Sequence, residues 1–184
     1  RREHVDLGLE FTILYEASQA TSHILDVPQL LQKLLELIFR SIPADRGCAM
    51  MTGDKGEMRP AAIHLRKGEA GGPIQVSRSI IDHVLHERQG VLLSDASRDD
   101  RFNRGQSVVN LGIREVICVP MKGRHETLGV LYLDTSTPAM KLAMGGQTGK
   151  FTGDHLTLAI AIAHQAALAV EETRYYQAMV NAER

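Results

Sequence analysis

Residues able to act as nucleophiles, metal ligands or acid–base pairs are few in this chain and thinly spread. Cys48 and Cys118 are its two cysteines. Each sits inside an apolar run, "GCAMM" and "EVICVPM", so the simplest role for both is a small buried hydrophobe. There are eight histidines, and His83 and His86 stand one helical turn apart. They lack the glutamate spacing of a zinc-protease helix. No Ser-His-Asp arrangement and no catalytic pair of carboxylates follows from spacing.

Two stretches invite a specific chemistry and then decline it. In "SDASRDDRFNR" (94–104), aspartates and arginines surround Phe102. A calcium loop beginning at Asp95 needs Gly at its sixth position and Glu at its twelfth. Those places hold Asp100 and Gln106. The mixed charges also neutralise one another, so the loop is structural or ligand-facing and not a metal site. "GGQTGKF" (145–151) imitates a phosphate-binding loop, but the leading Gly would fall on Met144 and Phe151 replaces the hydroxyl residue. It reads as a connection leading into a helix.

The totals suit one soluble globular domain. The chain has 184 residues, 43% hydrophobic and 23% charged, with a net charge of −1. Charges of both signs are interspersed, and no dense basic run draws the segment to nucleic acid or to an anionic membrane. No stretch approaches the roughly 20 apolar residues of a membrane helix. Two cysteines make no disulfide framework, which points to a reducing cytoplasm. The start "RREHVDLGLEF" has no signal-peptide core. The chain opens without Met and closes inside a helical pattern, so it reads as a segment of a longer protein.

The elements that must position any site are well punctuated. Leu7, Phe11 and Leu14 mark one face of a first helix over 5–20. "LDVPQLLQKLLELIFRSI" begins a second: Asp26 is its N-cap, Pro28 lies in the first turn, and Leu25 and Leu30 are placed as a hydrophobic staple. Leu30, Leu31, Leu34, Leu35 and Ile38 form its buried face. "RGCAMMT" (46–52) and "MRPAAIH" (58–64) make a hairpin around "GDKGE". "VSRSIIDHVLHERQG" is a helix capped by Ser77, stapled by Val76 and Ile81, and stopped at Gly90. A short strand "VLLSD" follows. "IREVICVPM" (113–121) and "TLGVLYLDT" (127–135) are the strongest strands. "FTGDHLTLAIAIAHQAALAVEETRYYQAMV" is a long helix capped by Thr152, with Phe151 and Leu156 as staple and alanines for close packing.

The two strong strands are apolar on both faces. Val116 and Cys118 oppose Ile117 and Val119; Val130 and Tyr132 oppose Leu131 and Leu133. Both faces must therefore be covered. Helices take one side; loops or short helices take the other, a natural place for a small-molecule cavity. Fold class is thus α/β (α+β), with terminal amphipathic helices suited to pairing in a dimer.

The run "VLLSDASRDDRFNRGQSVVNLGIREVICVPMKGRHETLGVLYLDT" resembles the core of a GAF domain: a strand ending in Asp-Ala, Asp-x-Arg-Phe, Ile-Arg, an apolar strand closing in Val-Pro, then Leu-Gly-Val-Leu-Tyr-Leu-Asp. "LDVPQLLQKLLELI" and "FTGDHLTLAIAIAHQAALAVEE" resemble the family's first and last core helices. The resemblance covers about residues 26–175, leaving 1–25 as a connecting helix and 176–184 as a helical extension towards an output domain. It implies a central antiparallel sheet of five to six strands, with terminal helices on one face and a pocket under loops on the other. The implied role is a non-enzymatic sensory or dimerising module of a cytoplasmic, bacterial signalling protein, with an unidentified small-molecule ligand, a homodimer through the terminal helices, and no defined cofactor. The alternative is a ligand-free dimerisation scaffold. By the same resemblance, Asp95, Arg101, Phe102, Ser107, Val108, Arg114 and Cys118 line or brace the pocket. Phe102 would supply an apolar wall, and Arg101 or Arg114 would meet an anion; alternatively Asp95 or Asp99 pairs with an arginine and only shapes the loop. The departures are definite. The Asn-Lys…Phe-x-x-x-Asp-Glu pattern of cyclic-nucleotide-binding members is absent, neither cysteine is followed by the His of bilin-bearing members, and two cysteines 70 residues apart do not resemble the cluster of methionine-sulfoxide-reducing members.

Overall fold

Asp26 starts the helix that founds the core. Its carboxylate accepts from the Gln29 backbone N–H at 3.0 Å, and Pro28 occupies the first turn, where a missing N–H costs nothing. The computed structural model describes residues 2–66, 76–94, 113–136 and 151–183. Within them lie α1 (Arg2–His23), α2 (Val27–Ser41), β1 (Arg46–Thr52), β2 (Met58–Leu65), α3 (Arg78–Glu87), β3 (Val91–Leu93), β4 (Ile113–Lys122), β5 (Thr127–Ser136) and α4 (Gly153–Ala182). The strands form one sheet in the order β2-β1-β5-β4-β3, every pair antiparallel.

Side-chain alternation along the strands splits the core in two. Ile117, Val119, Leu131 and Leu133 join Leu30, Leu34, Leu35 and Ile38 of α2 and Leu158, Ile162 and Ala166 of α4 in a helix-covered layer. Ile13 and Ala17 bring α1 into that layer. Val116, Cys118, Val130 and Tyr132 turn the other way, beneath Ile80, Ile81 and Val84 of α3. Both strong strands are thus buried on both faces, as their apolar runs require.

Local chemistry moves three expected details. Leu25 is 76% exposed, so it does not staple onto the buried Leu30. Helix α3 stops at Arg88, whose left-handed φ of 58° closes the helix two residues before Gly90. Gly90 serves close packing instead: a Cβ there would stand 2.8 Å from a methyl of Val119. The expected cap Ser77 makes no side-chain bond to the helix; its hydroxyl lies 3.1 Å from that of Ser79. Thr152 does cap α4, within a reciprocal box in which His155 takes the place usual for Glu or Gln.

Arg66, just past β2, ties the sheet edge to the helical layer. Its guanidinium donates to the carbonyls of Ala44, Phe39 and Ile42 at 2.7, 3.1 and 3.2 Å, where α2 ends and its carbonyls need donors. It also stands 5.2 Å from the centre of the Phe39 ring.

Candidate functional site

The face of the sheet under α3 is built in rows by strand register. Cys48 of β1 pairs with Tyr132 of β5, and Tyr132 pairs on its other side with Cys118 of β4. The next row brings Arg46, Asp134 and Val116 together. Met50 and Val130 form the row beyond the cysteines. All the apolar members are buried, with Cys118, Val116, Val130 and Tyr132 at 0% exposure.

The charges described on this face, Arg46 and Asp134, pair with each other. Arg46 Nε donates to Asp134 Oδ1 at 2.9 Å and Arg46 Nη2 to Oδ2 at 2.8 Å, a bidentate pair. Burial raises the Asp134 pKa, against the lowering pull of Arg46. Burial is also the main force on the two thiols. Cys48 is pushed up to about 12, and Cys118 is raised further in the same direction. Both are therefore neutral thiols at physiological pH, poor nucleophiles and poor metal ligands. Tyr132 is raised well above the ordinary phenol value, by burial first and by the Asp134 charge second. Its hydroxyl faces the Asp134 carboxylate, and that contact adds to the shift.

Of the residues expected at the site, Cys118 is placed by the structure on this floor, fully buried. Asp95, Arg101, Phe102, Ser107 and Val108 lie outside the described residues, as does the calcium-like loop that contains Phe102. Arg114 belongs to the β4 backbone, but its side chain lies outside the described set. The structure adds Cys48, Tyr132, Arg46 and Asp134. Their parity along each strand was visible in the sequence, but the pairing of Arg46 with a residue 88 positions away was not. Among the described residues, no three His, Cys, Asp or Glu side chains gather as metal ligands. No helix among them is long and apolar enough to cross a membrane.

The opposite side of β4 and β5 grips α4. Glu115 is buried at 2% exposure; its Oε1 accepts from the Phe151 backbone N–H at 3.2 Å and its Oε2 from the Thr135 hydroxyl at 3.3 Å. Halfway along the helix, His164 Nδ1–H donates to the Lys122 carbonyl at 2.7 Å. Two turns further, Glu171 Oε1 accepts from the His125 backbone N–H at 3.5 Å. The β4–β5 turn comes so near the helix that a Cβ on Gly123 would meet the Glu171 carboxylate.

Comparison with known proteins gives this architecture its place. No curated protein matches the chain in sequence. Among solved structures, the GAF domain of a phosphoenolpyruvate-protein phosphotransferase from Coxiella burnetii superposes with a TM-score of 0.69 at 17% identity, covering 92% of this chain and 96% of that one. The GAF domain of a putative sensor histidine kinase from Pseudomonas syringae pv. tomato gives 0.66 at 14% identity, covering 98% and 97%. Free methionine-R-sulfoxide reductase from Neisseria meningitidis gives 0.69 at 13%, covering 91% of each chain. At these identities the superpositions show the fold. The sequence profile described as GAF domain matches residues 26–170, most of the chain. The chain belongs to the GAF domain family.

Proposed function

We propose that this chain is a regulatory sensory module. It takes up a small molecule on the α3 side of its sheet and passes the change to an attached output domain through its terminal helices, which pair with those of a second copy. The observation that carries this is the double grip of β4 and β5. One face of these strands holds the Cys48–Tyr132–Cys118 row; the other holds α4 at three heights through Glu115, His164 and Glu171. A shift of either strand is thereby a shift of the helix. A ligand moves this equilibrium only to the extent that it binds the two helix arrangements differently.

The terminal helices carry a seam fit for a second copy. On α1, Phe11, Tyr15, Ser18 and Ser22 follow one another at steps of four, three and four and are all exposed, with the exposed Leu25 just past the helix end. On α4, Leu168, Tyr175 and Met179 continue such a stripe past the end of the sheet, beside the exposed Tyr176 and Val180. Between the two helices runs a groove of about 820 Å³ lined by Ser18, Ser22, Leu25, Leu168 and Tyr176 among others. Aromatic side chains at 64% to 70% exposure beside such a groove are better covered than solvated. Residues 1–25 and 176–184 then act as connectors on either side of the sensory unit.

A regulatory role fits the site better than a catalytic one. The sulfoxide reductase neighbour has the same fold, but burial holds both thiols of this chain in the unreactive, protonated form. The test is thermodynamic reciprocity. A metabolite that raises the melting temperature of the segment should change its monomer–dimer equilibrium, and dimerisation should change metabolite affinity by the same factor. A stabilising metabolite that leaves dimerisation unaltered would contradict the coupling.

A further inference from the structure

We infer that α4 meets a second copy of this chain along the crest formed by Leu168 and Glu172, with Glu172 of each copy paired to Arg124 in the β4–β5 turn of the other. The assignment rests on the helix pairing proposed above and names the contact that sets its register.

The shape of α4 is the starting point. Two grooves flank its outer side. One, of about 820 Å³, runs between α4 and α1. The other, of about 550 Å³, separates α4 from the β4–β5 turn and is lined by Arg124, His125, Leu168, Glu171, Glu172 and Tyr175. Leu168 and Glu172 line both, so they stand as the crest between them. Residues four apart make such a ridge on a helix, and a ridge beside a groove is the surface that receives another helix. Tyr175 borders the turn-side groove and Tyr176 the other, and both are mostly exposed. Exposed aromatics around a ridge supply the apolar part of a protein interface.

The charges along the turn-side groove point to a second copy as the occupant. Arg124 and Glu172 border the same groove, are both exposed, and make no ion pair or hydrogen bond among the described residues. Their neighbours have other work. Glu171 accepts from the His125 backbone N–H, and His164 is bound to the Lys122 carbonyl. The other charged or titratable side chains of the turn, Lys122, His125 and Glu126, are exposed as well. Arg174 stands two residues past Glu172, roughly 200° around the helix and away from the crest. A guanidinium and a carboxylate left single on one face are self-complementary under a two-fold axis. An isologous contact that brings Glu172 to the partner's Arg124 also brings Arg124 to the partner's Glu172. Two forked Arg–carboxylate pairs then form together. Leu168, one turn back from Glu172, gives the apolar contact beside them.

Charge reversal and mixing test the contact. Sedimentation equilibrium at low salt compares the parent chain, Arg124→Glu, Glu172→Arg and the chain carrying both changes. Each single reversal sets like charges against each other at both pairs and should weaken dimerisation by roughly tenfold or more. Circular dichroism should stay unaltered, since both sites are exposed. The double reversal should dimerise like the parent. An equimolar mixture of the two single variants should do so too, as a heterodimer, because opposite charges then meet at both pairs. Recovery in the double reversal without recovery in the mixture would show that Arg124 and Glu172 pair within one chain, and would overturn the inference. Loss of the dimer in both single variants, with recovery in neither combination, would overturn it because the two side chains then do not face each other. Four chains that all dimerise alike would overturn it and leave the helix pairing standing. A parent chain that is monomeric at every concentration would overturn the helix pairing and this contact together.

Discussion

Cys48 and Cys118 face the same side of the sheet, one on each flank of Tyr132, because both pair with it in register. Two strand spacings separate them, roughly 10 Å between backbones, beyond the ~7 Å that a disulfide tolerates. Proximity in the fold therefore does not make them a redox pair. Both thiols should resist alkylation by iodoacetamide at neutral pH in the folded chain and react at once in denaturant. Fast labelling of the folded chain would show that one thiol is exposed and reactive, and would reopen the catalytic alternative.

The same burial predicts a loss of stability at alkaline pH. Cys48, Cys118 and Tyr132 keep their protons in the fold, whereas the unfolded chain sheds them near 9.0 for the thiols and 10.0 for the phenol. Above pH 9 the unfolded state binds fewer protons than the native one, so stability falls as pH rises, by up to about 1.4 kcal/mol per pH unit per group. Denaturant melts between pH 8 and pH 11 measure the slope. Cys48→Ala with Cys118→Ala should flatten it in proportion, although the variant starts less stable.

Arg46 and Asp134 are worth most as a pair. Asp134→Asn takes the forked carboxylate away from the Arg46 guanidinium and should cost roughly 1.5–3 kcal/mol. Replacing both, Arg46→Met with Asp134→Leu, should recover much of that loss, since well-packed apolar groups need no charge partner. A full double-mutant cycle in urea gives the coupling, and additive losses would contradict it.

Gly123 should matter to coupling more than to folding. A Cβ there meets the far end of the Glu171 side chain, which can swing aside at little cost. Gly123→Ala should then melt within about 1 kcal/mol of the parent chain. It should nonetheless release the β4–β5 turn from α4, seen as faster amide exchange at His125 and along the helix beyond Glu171.

The sequence carried the fold through its punctuation and parity. Asp26 and Thr152 cap helices because short polar side chains before an apolar period offer a local, decodable bond. The parity of Val116–Cys118 against Ile117–Val119 foretold two covered faces, and both layers exist. Details that depend on distant neighbours were not legible. Leu25 looked like a staple but stays exposed between α1 and α2. Arg88 takes the left-handed cap although Gly90 stands two residues on, because Gly90 is needed where the chain passes Val119. Cys118 was named from motif likeness, whereas the neighbours the fold gives it, Tyr132, Cys48 and the Arg46–Asp134 pair, needed strand register. Register joins residues some 14 to 88 positions apart, and no local pattern encodes it.

Native and denaturing mass spectra of the purified segment, compared directly, test the central claim. A dimer carrying a small molecule that departs on denaturation is the expected result, and its mass names the signal. A monomer, empty in both spectra, would contradict ligand sensing and helix pairing together.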